Sequence, residues 1–262
     1  MPAAPPSTRG RISNSARSLP TQTMIELDGI LLIDKPIGMT SHDVVNRVRR
    51  VAQTRRVGHA GTLDPLATGL LIMLVGKATK ASQFLMSQSK EYTGTIHLGV
   101  ETNTYDREGE VVAEHPVPPM DAAQVETWMK GFLGDQMQTP PMFSAIKIDG
   151  VPLYKMARKG EEVEREQRFI RISSFRLTRW ESPELDFVLA CSKGTYVRSV
   201  AHDMGARIGC GAHLSALRRT RIGDIGLDRS VPLDAFMKLT PSEIAPLLVP
   251  VRDVVPPGVM MG

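Results

Sequence analysis

Cysteine is nearly missing: Cys191 and Cys210 are the only two in 262 residues. Neither lies in a CxxC or at zinc spacing from a histidine, which excludes a disulfide framework and points to buried thiols in a reducing compartment. Long apolar runs are missing too. The longest, GLLIMLVG from Gly69 to Gly76, is far short of the roughly 20 residues a bilayer span needs, so no membrane contact is expected. The first apolar cluster follows a Pro/Ser/Arg-rich start with no apolar h-region, which argues against a secretory signal. A phosphate loop is lacking as well: Gly69 to Lys77 has the wrong glycine spacing, and Ala78 stands where Ser or Thr would hold magnesium. The six histidines, at 42, 59, 97, 115, 202 and 213, form no HExxH and no metal-spaced pair, so no metal site is expected. Ser199, His202 and Asp203 are helix neighbours and cannot make a triad from spacing alone.

What remains is the composition of a globular chain, 42% hydrophobic and 23% charged, with a net charge of +4 that suits a polyanionic partner only weakly. Its length favours one principal domain. Residues 1–25 carry Arg9, Arg11 and Arg17 without an acid and offer too little apolar surface to order, so they are expected to be a basic disordered tail. A mitochondrial transit peptide is the lesser alternative, because the stretch lacks a helical apolar stripe and contains several prolines. The folded part is expected over 26–248, and 249–262 is a short Pro-rich tail.

Within that span GILLID, GLLIMLVG and EYTGTIHLGV read as strands, the last with Tyr92, Gly94, Ile96 and Leu98 on one face. TSHDVVNRVRRVAQ reads as a helix capped by Ser41, with Val44, Val48 and Val51 inward, and KATKASQFLMSQ reads as another. Val125, Trp128, Met129 and Phe132 recur at helical spacing as a core stripe. Asp149-Gly150 signals a hairpin, RFIRISSFRLTRW and LDFVLACSKGTYVRS alternate as strands, and VRSVAHDMGARIGCG reads as a helix ended by glycine. Strands and helices do not alternate strictly, which predicts an α+β fold on a mixed, mostly antiparallel sheet.

One stretch stands apart. In GHAGTLDPLATGLL a single carboxylate, Asp64, sits between two glycine turns. A generic Asp-Pro pair is a helix start with the aspartate as cap. Here Pro65 biases Asp64 toward an extended backbone, while Gly61 and Gly69 permit tight turns and close approach, a geometry that can present the carboxylate at a cleft.

GHAGTLDPLATGLLIMLVGKATK, with DKPIGMTSHDVV before it and PPMFSAIKIDGVPLYKMARKG, CSKGTYVRS and CGAHLSALRRTRIG after it, resembles the bacterial TruB family of tRNA pseudouridine synthases, in order from about Gly29 to Asp224. The resemblance implies the pseudouridine synthase fold, a mixed sheet with flanking helices and a central RNA-binding cleft, over 26–248. It also implies isomerisation of uridine 55 in the tRNA T arm by a cytoplasmic enzyme, acting as a monomer with no obligatory protein partner. It assigns Asp64 as the catalytic carboxylate, Tyr92 as the residue stacking on the target base, and Arg198 as the partner of the aspartate. His59 would occupy space left by flipped nucleotides, Leu217 would wall the pocket, and Lys35 with Pro36 would lie near it. Many family members carry a further PUA domain; only a few dozen residues follow RRTRIGDI, so none is expected here, and RNA binding should be weaker and more sensitive to salt.

The chemistry asks for these residue types on its own terms. Breaking the ribose C1′–N1 bond, turning the uracil and joining C1′ to C5 needs no redox cofactor, and none is expected. A carboxylate can serve as nucleophile or base on the sugar, an arginine can hold it ionised, and an aromatic face can retain the detached base. The target nucleotide must leave its stack, at a cost of a few kcal/mol. Phosphate contacts offset that cost, and Arg47, Arg158, Lys159, Arg218, Arg219 and Arg221 are the expected RNA contacts. A catalytically silent tRNA-folding chaperone is the alternative, and intact Asp64, Tyr92 and Arg198 argue against it.

Overall fold

The computed structural model describes Met1 and residues 26–256. The expected basic tail, its transit-peptide alternative and the last six residues lie outside the described residues.

The chain opens with β1 (Gly29–Lys35), buried along almost all of its length, and α1 (Ser41–Val51). Thr40, not Ser41, caps α1: its hydroxyl accepts from the Asp43 amide while Asp43 accepts from the Thr40 amide, a reciprocal capping box. Ser41 is drawn inward instead, donating to the Leu63 carbonyl at 3.1 Å and accepting from the Leu63 amide at 2.8 Å. A short β2 (Val57–His59) precedes the Asp64 loop and β3 (Thr68–Val75), whose unbroken apolar run is explained by burial on both faces. The expected helix after it divides into a 3₁₀ segment over Gly76–Ala81 and a short α2 (Ser82–Ser87).

Next come β4 (Lys90–Leu98), the hairpin β5 (Val100–Thr102) and β6 (Val111–Glu114), and α3 (Ala122–Lys130). Val125, Met129 and Phe132 are buried as the stripe required, but Trp128 is 39% exposed at the edge of that face. After β7 (Gly134–Gln138), the hairpin of β8 (Lys147–Ile148) and β9 (Val151–Pro152) turns on Asp149 and Gly150, both at positive φ, and runs into α4 (Leu153–Ala157). Two long strands follow, β10 (Arg168–Glu181) and β11 (Glu184–Cys191), then α5 (Val197–Ile208), ended by Gly209 at φ +88°. The chain crosses back in β12 (Ala212–Ile222), β13 (Ile225–Gly226) and β14 (Val231–Pro232).

One ten-stranded sheet organises all of this, in the order β14-β1-β3-β12-β4-β11-β10-β7, with β2 beside β3 and β13 beside β12. Only β1–β14 and β3–β12 pair in parallel; the rest are antiparallel. The expected α+β class and mixed sheet are therefore observed. A register shift in β10 between Ile172 and Ser174 moves the inward parity from Ile170 and Ile172 to Phe175. Phe175 then meets Phe132 and Phe187 edge-on, with ring centroids 6.2 and 5.4 Å away, which seats α3 on the sheet. The parallel neighbours β3 and β12 carry the Asp64 loop at one end, and β4 lies on the other side of β12.

Candidate active site

Asp64 caps no helix. It lies in the loop between β2 and β3, where its carbonyl accepts from the Ala67 amide at 3.0 Å, closing a tight turn over Pro65 and Leu66. The loop is tied along its length. Leu63 is held by Ser41, and the Pro65 carbonyl accepts from the Gly38 amide at 2.9 Å and from Lys35 Nζ at 3.4 Å. The carboxylate that projects from this frame is 39% exposed.

Arg198, in the first turn of α5, sets its Nε 3.0 Å from Asp64 Oδ2, an ion pair without an aligned hydrogen bond. That guanidinium is only 5% exposed: Nη1 donates to the Thr104 carbonyl at 3.0 Å, Nη2 donates to the Phe143 carbonyl at 2.9 Å, and Asp106 Oδ2 stands 3.5 Å from Nη1. The fork is thus fixed on its Nη side before it meets Asp64. Asp106, equally buried, was missed by sequence reasoning, although the acid-rich TYDREGE run around it was a usable signal. Its carboxylate accepts from Thr104 Oγ1 at 2.7 Å and from the Glu108 amide at 3.0 Å. The segment holding it is fastened to β12 by Leu214, whose amide donates to the Tyr105 carbonyl and whose carbonyl accepts from the Arg107 amide. The Tyr105 ring stacks on His202 of α5 at 3.9 Å, so His202 is a packed histidine. Glu108, also missed, has its carboxyl pushed up by burial and by the nearby Asp106 and Asp64.

Tyr92, on β4, is 8% exposed, and burial raises its phenol above the ordinary value while the Arg219 charge pulls the other way. His59 ends β2. Burial and Arg219 lower its imidazole below the ordinary value, which keeps it neutral at pH 7, and its Nδ1 has no hydrogen-bond partner among the described residues. Leu217 is 8% exposed; with Leu66 it lines an open groove of about 430 Å³ that also takes in Thr68, Thr93, Thr95 and Arg218. Tyr196, another residue the sequence did not single out, is the N-cap of α5. The Gln138 amide grips its backbone on both sides, and Asp64 is among the charges that act on its phenol.

Two of the expected contacts are buried in this structure. Lys35, expected near the substrate, is fully buried: Nζ donates to the carbonyls of Pro36, Met39 and Pro65, so it supports the Asp64–Pro65 turn from behind. Its amine is lowered to about 8, chiefly by burial, against the opposing pull of Asp64. Arg219, expected on RNA phosphates, is 1% exposed, with its guanidinium spent on the carbonyls of Leu70, Thr62 and Gly61. The other basic residues lie nearer to solvent. Arg221 is exposed, Arg158 is exposed over the Tyr154 ring, Lys159 is exposed beside Glu161, and Arg47 is half-buried on α1. Arg218 is half-exposed but paired with Asp34 at 2.6 and 3.1 Å.

The mixed sheet, the tied aspartate loop and the buried arginine beside that carboxylate belong to a chain whose sequence matches the pseudouridine synthases. Residues 49–197 match the family model described as TruB family pseudouridylate synthase (N terminal domain), and residues 198–255 match tRNA pseudouridylate synthase B C-terminal domain. The chain belongs to the TruB family. It is 60% identical over 231 residues to a tRNA pseudouridine synthase B of Opitutus terrae, covering 88% of this chain and 96% of that one. It is 48% identical over 227 residues to a tRNA pseudouridine synthase B of Syntrophotalea carbinolica, covering 87% and 74%. Among solved structures it is similar to a Cbf5-Nop10-Gar1 complex, with a TM-score of 0.62 and 29% identity over 80% of this chain and 54% of that one. An archaeal box H/ACA sRNP Nop10-Cbf5 complex aligns with a TM-score of 0.61 and 26% identity, over 81% and 53%. The chain therefore spans about half of those solved chains.

Proposed function

We propose that this protein converts uridine 55 of the tRNA T arm to pseudouridine, with Asp64 as the reacting carboxylate, Arg198 as the cation that orients it, and Tyr92 retaining the base while it turns. The reaction breaks ribose C1′–N1 and makes C1′–C5; the proton lost from C5 is balanced by one gained at N1, so no net oxidation occurs. One observation carries this reading: a part-exposed carboxylate on a fully tied loop, with a buried guanidinium at 3.0 Å. Such an arrangement keeps an anion ready at a cleft without reorganisation when substrate arrives. Leu66 and Leu217 supply an apolar wall, and the neutral His59 faces no penalty on meeting an unstacked base.

Of the routes open to Asp64, removal of the ribose C2′ proton to give a glycal is the one the family resemblance favours; absence of an isotope effect with 2′-deuterated uridine contradicts it. The substrate is taken to be the T-arm stem-loop, bound by a monomer without an obligatory protein partner. Both relatives described above are bacterial, which favours the cytoplasm over the mitochondrion. A T-arm transcript carrying 5-tritiated uridine tests the proposal. Tritium release by the protein alone supports it, whereas binding without release supports a folding chaperone instead.

A further inference from the structure

Both glycines flanking Asp64 meet the same residue. Arg219 and Tyr92 are direct cross-strand partners between β12 and β4, while on the other side of β12 Arg219 pairs in parallel with Gly69. At Gly69, φ is +95°, and a side chain there would run into the Arg219 backbone, with its first carbon 2.3 Å from the Arg219 carbonyl oxygen and 2.9 Å from the amide nitrogen. At Gly61, φ is +96°, and a first side-chain carbon would stand 3.6 Å from Arg219 Nη1. The Arg219 side chain runs along this contact. Nε donates to Leu70 O at 2.8 Å, Nη1 to Thr62 O at 3.3 Å and Nη2 to Gly61 O at 3.0 Å, while Tyr92 lies directly opposite Arg219 on β4.

We propose that Arg219 is the positioning residue of the active site: one buried guanidinium ties the start of the Asp64 loop to the first residues of β3, on a strand paired directly opposite Tyr92, and so sets the distance between carboxylate and aromatic face. It touches neither RNA nor the reacting atoms. Arg219 pairs with no carboxylate among the described residues; burying such a cation is costly, and it is offset here by a carbonyl for each of its three guanidinium nitrogens. A lysine in its place keeps the charge but not the planar fork that reaches three carbonyls at once. The claim rests on the roles proposed for Asp64 and Tyr92.

The test is Arg219→Lys, assayed by single-turnover conversion of a T-arm stem-loop, by RNA affinity, and by the tyrosine Cζ NMR signals of ¹³Cζ-tyrosine-labelled protein. Four tyrosines make the Tyr92 signal assignable through Tyr92→Phe. The expected result is RNA affinity within about 2-fold of wild type, a single-turnover rate lower by about 100-fold or more, and a displaced Tyr92 signal. A wild-type rate, an unmoved Tyr92 signal, or a rate loss equal to the loss of folded protein overturns the proposal. Should Arg219→Lys fail to fold, the guanidinium protons of Arg219 in otherwise native protein decide. They are expected to exchange slowly and to shift in Tyr92→Phe, and unshifted signals contradict the tie. If the wild type does not convert uridine at all, the proposed function fails, while the NMR arm still judges the Arg219–Tyr92 contact.

Discussion

Arg198 Nε and Asp64 Oδ2 stand 3.0 Å apart, yet the two side chains differ sharply in exposure, 5% against 39%. The guanidinium belongs to the interior and the carboxylate to the surface, a geometry suited to presenting an anion to a ligand, which is the role proposed for it. Arg198 also neutralises buried Asp106 and satisfies two carbonyls. Arg198→Met should therefore lose both activity and stability. Leaving Asp106 buried without its partner costs roughly 3–5 kcal/mol, which urea unfolding would register. Arg198→Lys should retain more of that stability and little of the rate, because a point charge cannot hold both carbonyls and Asp64. A lysine variant with wild-type turnover contradicts this assignment.

Gly69→Ala tests the close approach of β3 to β12. The added carbon meets Arg219 backbone atoms at 2.3 and 2.9 Å, and the residue must keep φ near +95°. Overpacking and backbone strain together should cost about 2–4 kcal/mol. Thermal unfolding that leaves the midpoint unmoved would show that the strands can part there without penalty.

Lys90 offers a pH test away from the site. The residue is 8% exposed, and its Nζ donates to the Met86 and Gln88 carbonyls; burial lowers its amine from 10.5 to about 8. Between those values the unfolded chain binds more protons than the folded one at this residue, so stability rises with pH across that window. Below about 8 both states are protonated and the burial cost is fully present. Lys90→Met removes this contribution. The difference in unfolding free energy between wild type and variant should move in favour of wild type from pH 8 to 10, by up to about 2 kcal/mol. A difference flat with pH contradicts it.

Arg221 and Lys159 are exposed, whereas Arg219 is sealed. If the two contact phosphates, Arg221→Gln and Lys159→Gln should each reduce the slope of log affinity against log salt by about 0.7–0.9, with little effect on the rate at saturation. Unchanged slopes would remove them from the RNA surface.

Much of this architecture was legible beforehand because period-2 alternation and buried apolar runs are local signals. β4, β10, β11 and the Asp149-Gly150 hairpin all carry them. Long-range polar partners were not legible. Ser41 looked like a cap because cap chemistry is local, but the hydroxyl belongs to Leu63, 22 residues away. Arg218, Arg219 and Arg221 are equivalent as letters, and only the pairing of β12 with β3 and β4 decides that one is interior and another wet. Asp106 escaped notice because its partner, Arg198, lies 92 residues further along the chain. The match of Asp64 with Arg198 came from the motifs, and the 3.0 Å separation now gives it a geometry.

The most direct measurement is pseudouridine mapping, by mass or primer stop, in a T-arm transcript treated with Asp64→Asn protein whose folding and RNA affinity have been checked. The account predicts affinity within a few-fold of wild type and conversion slowed by at least about 10⁴-fold. Conversion near the wild-type rate would contradict it and remove Asp64 from the chemistry.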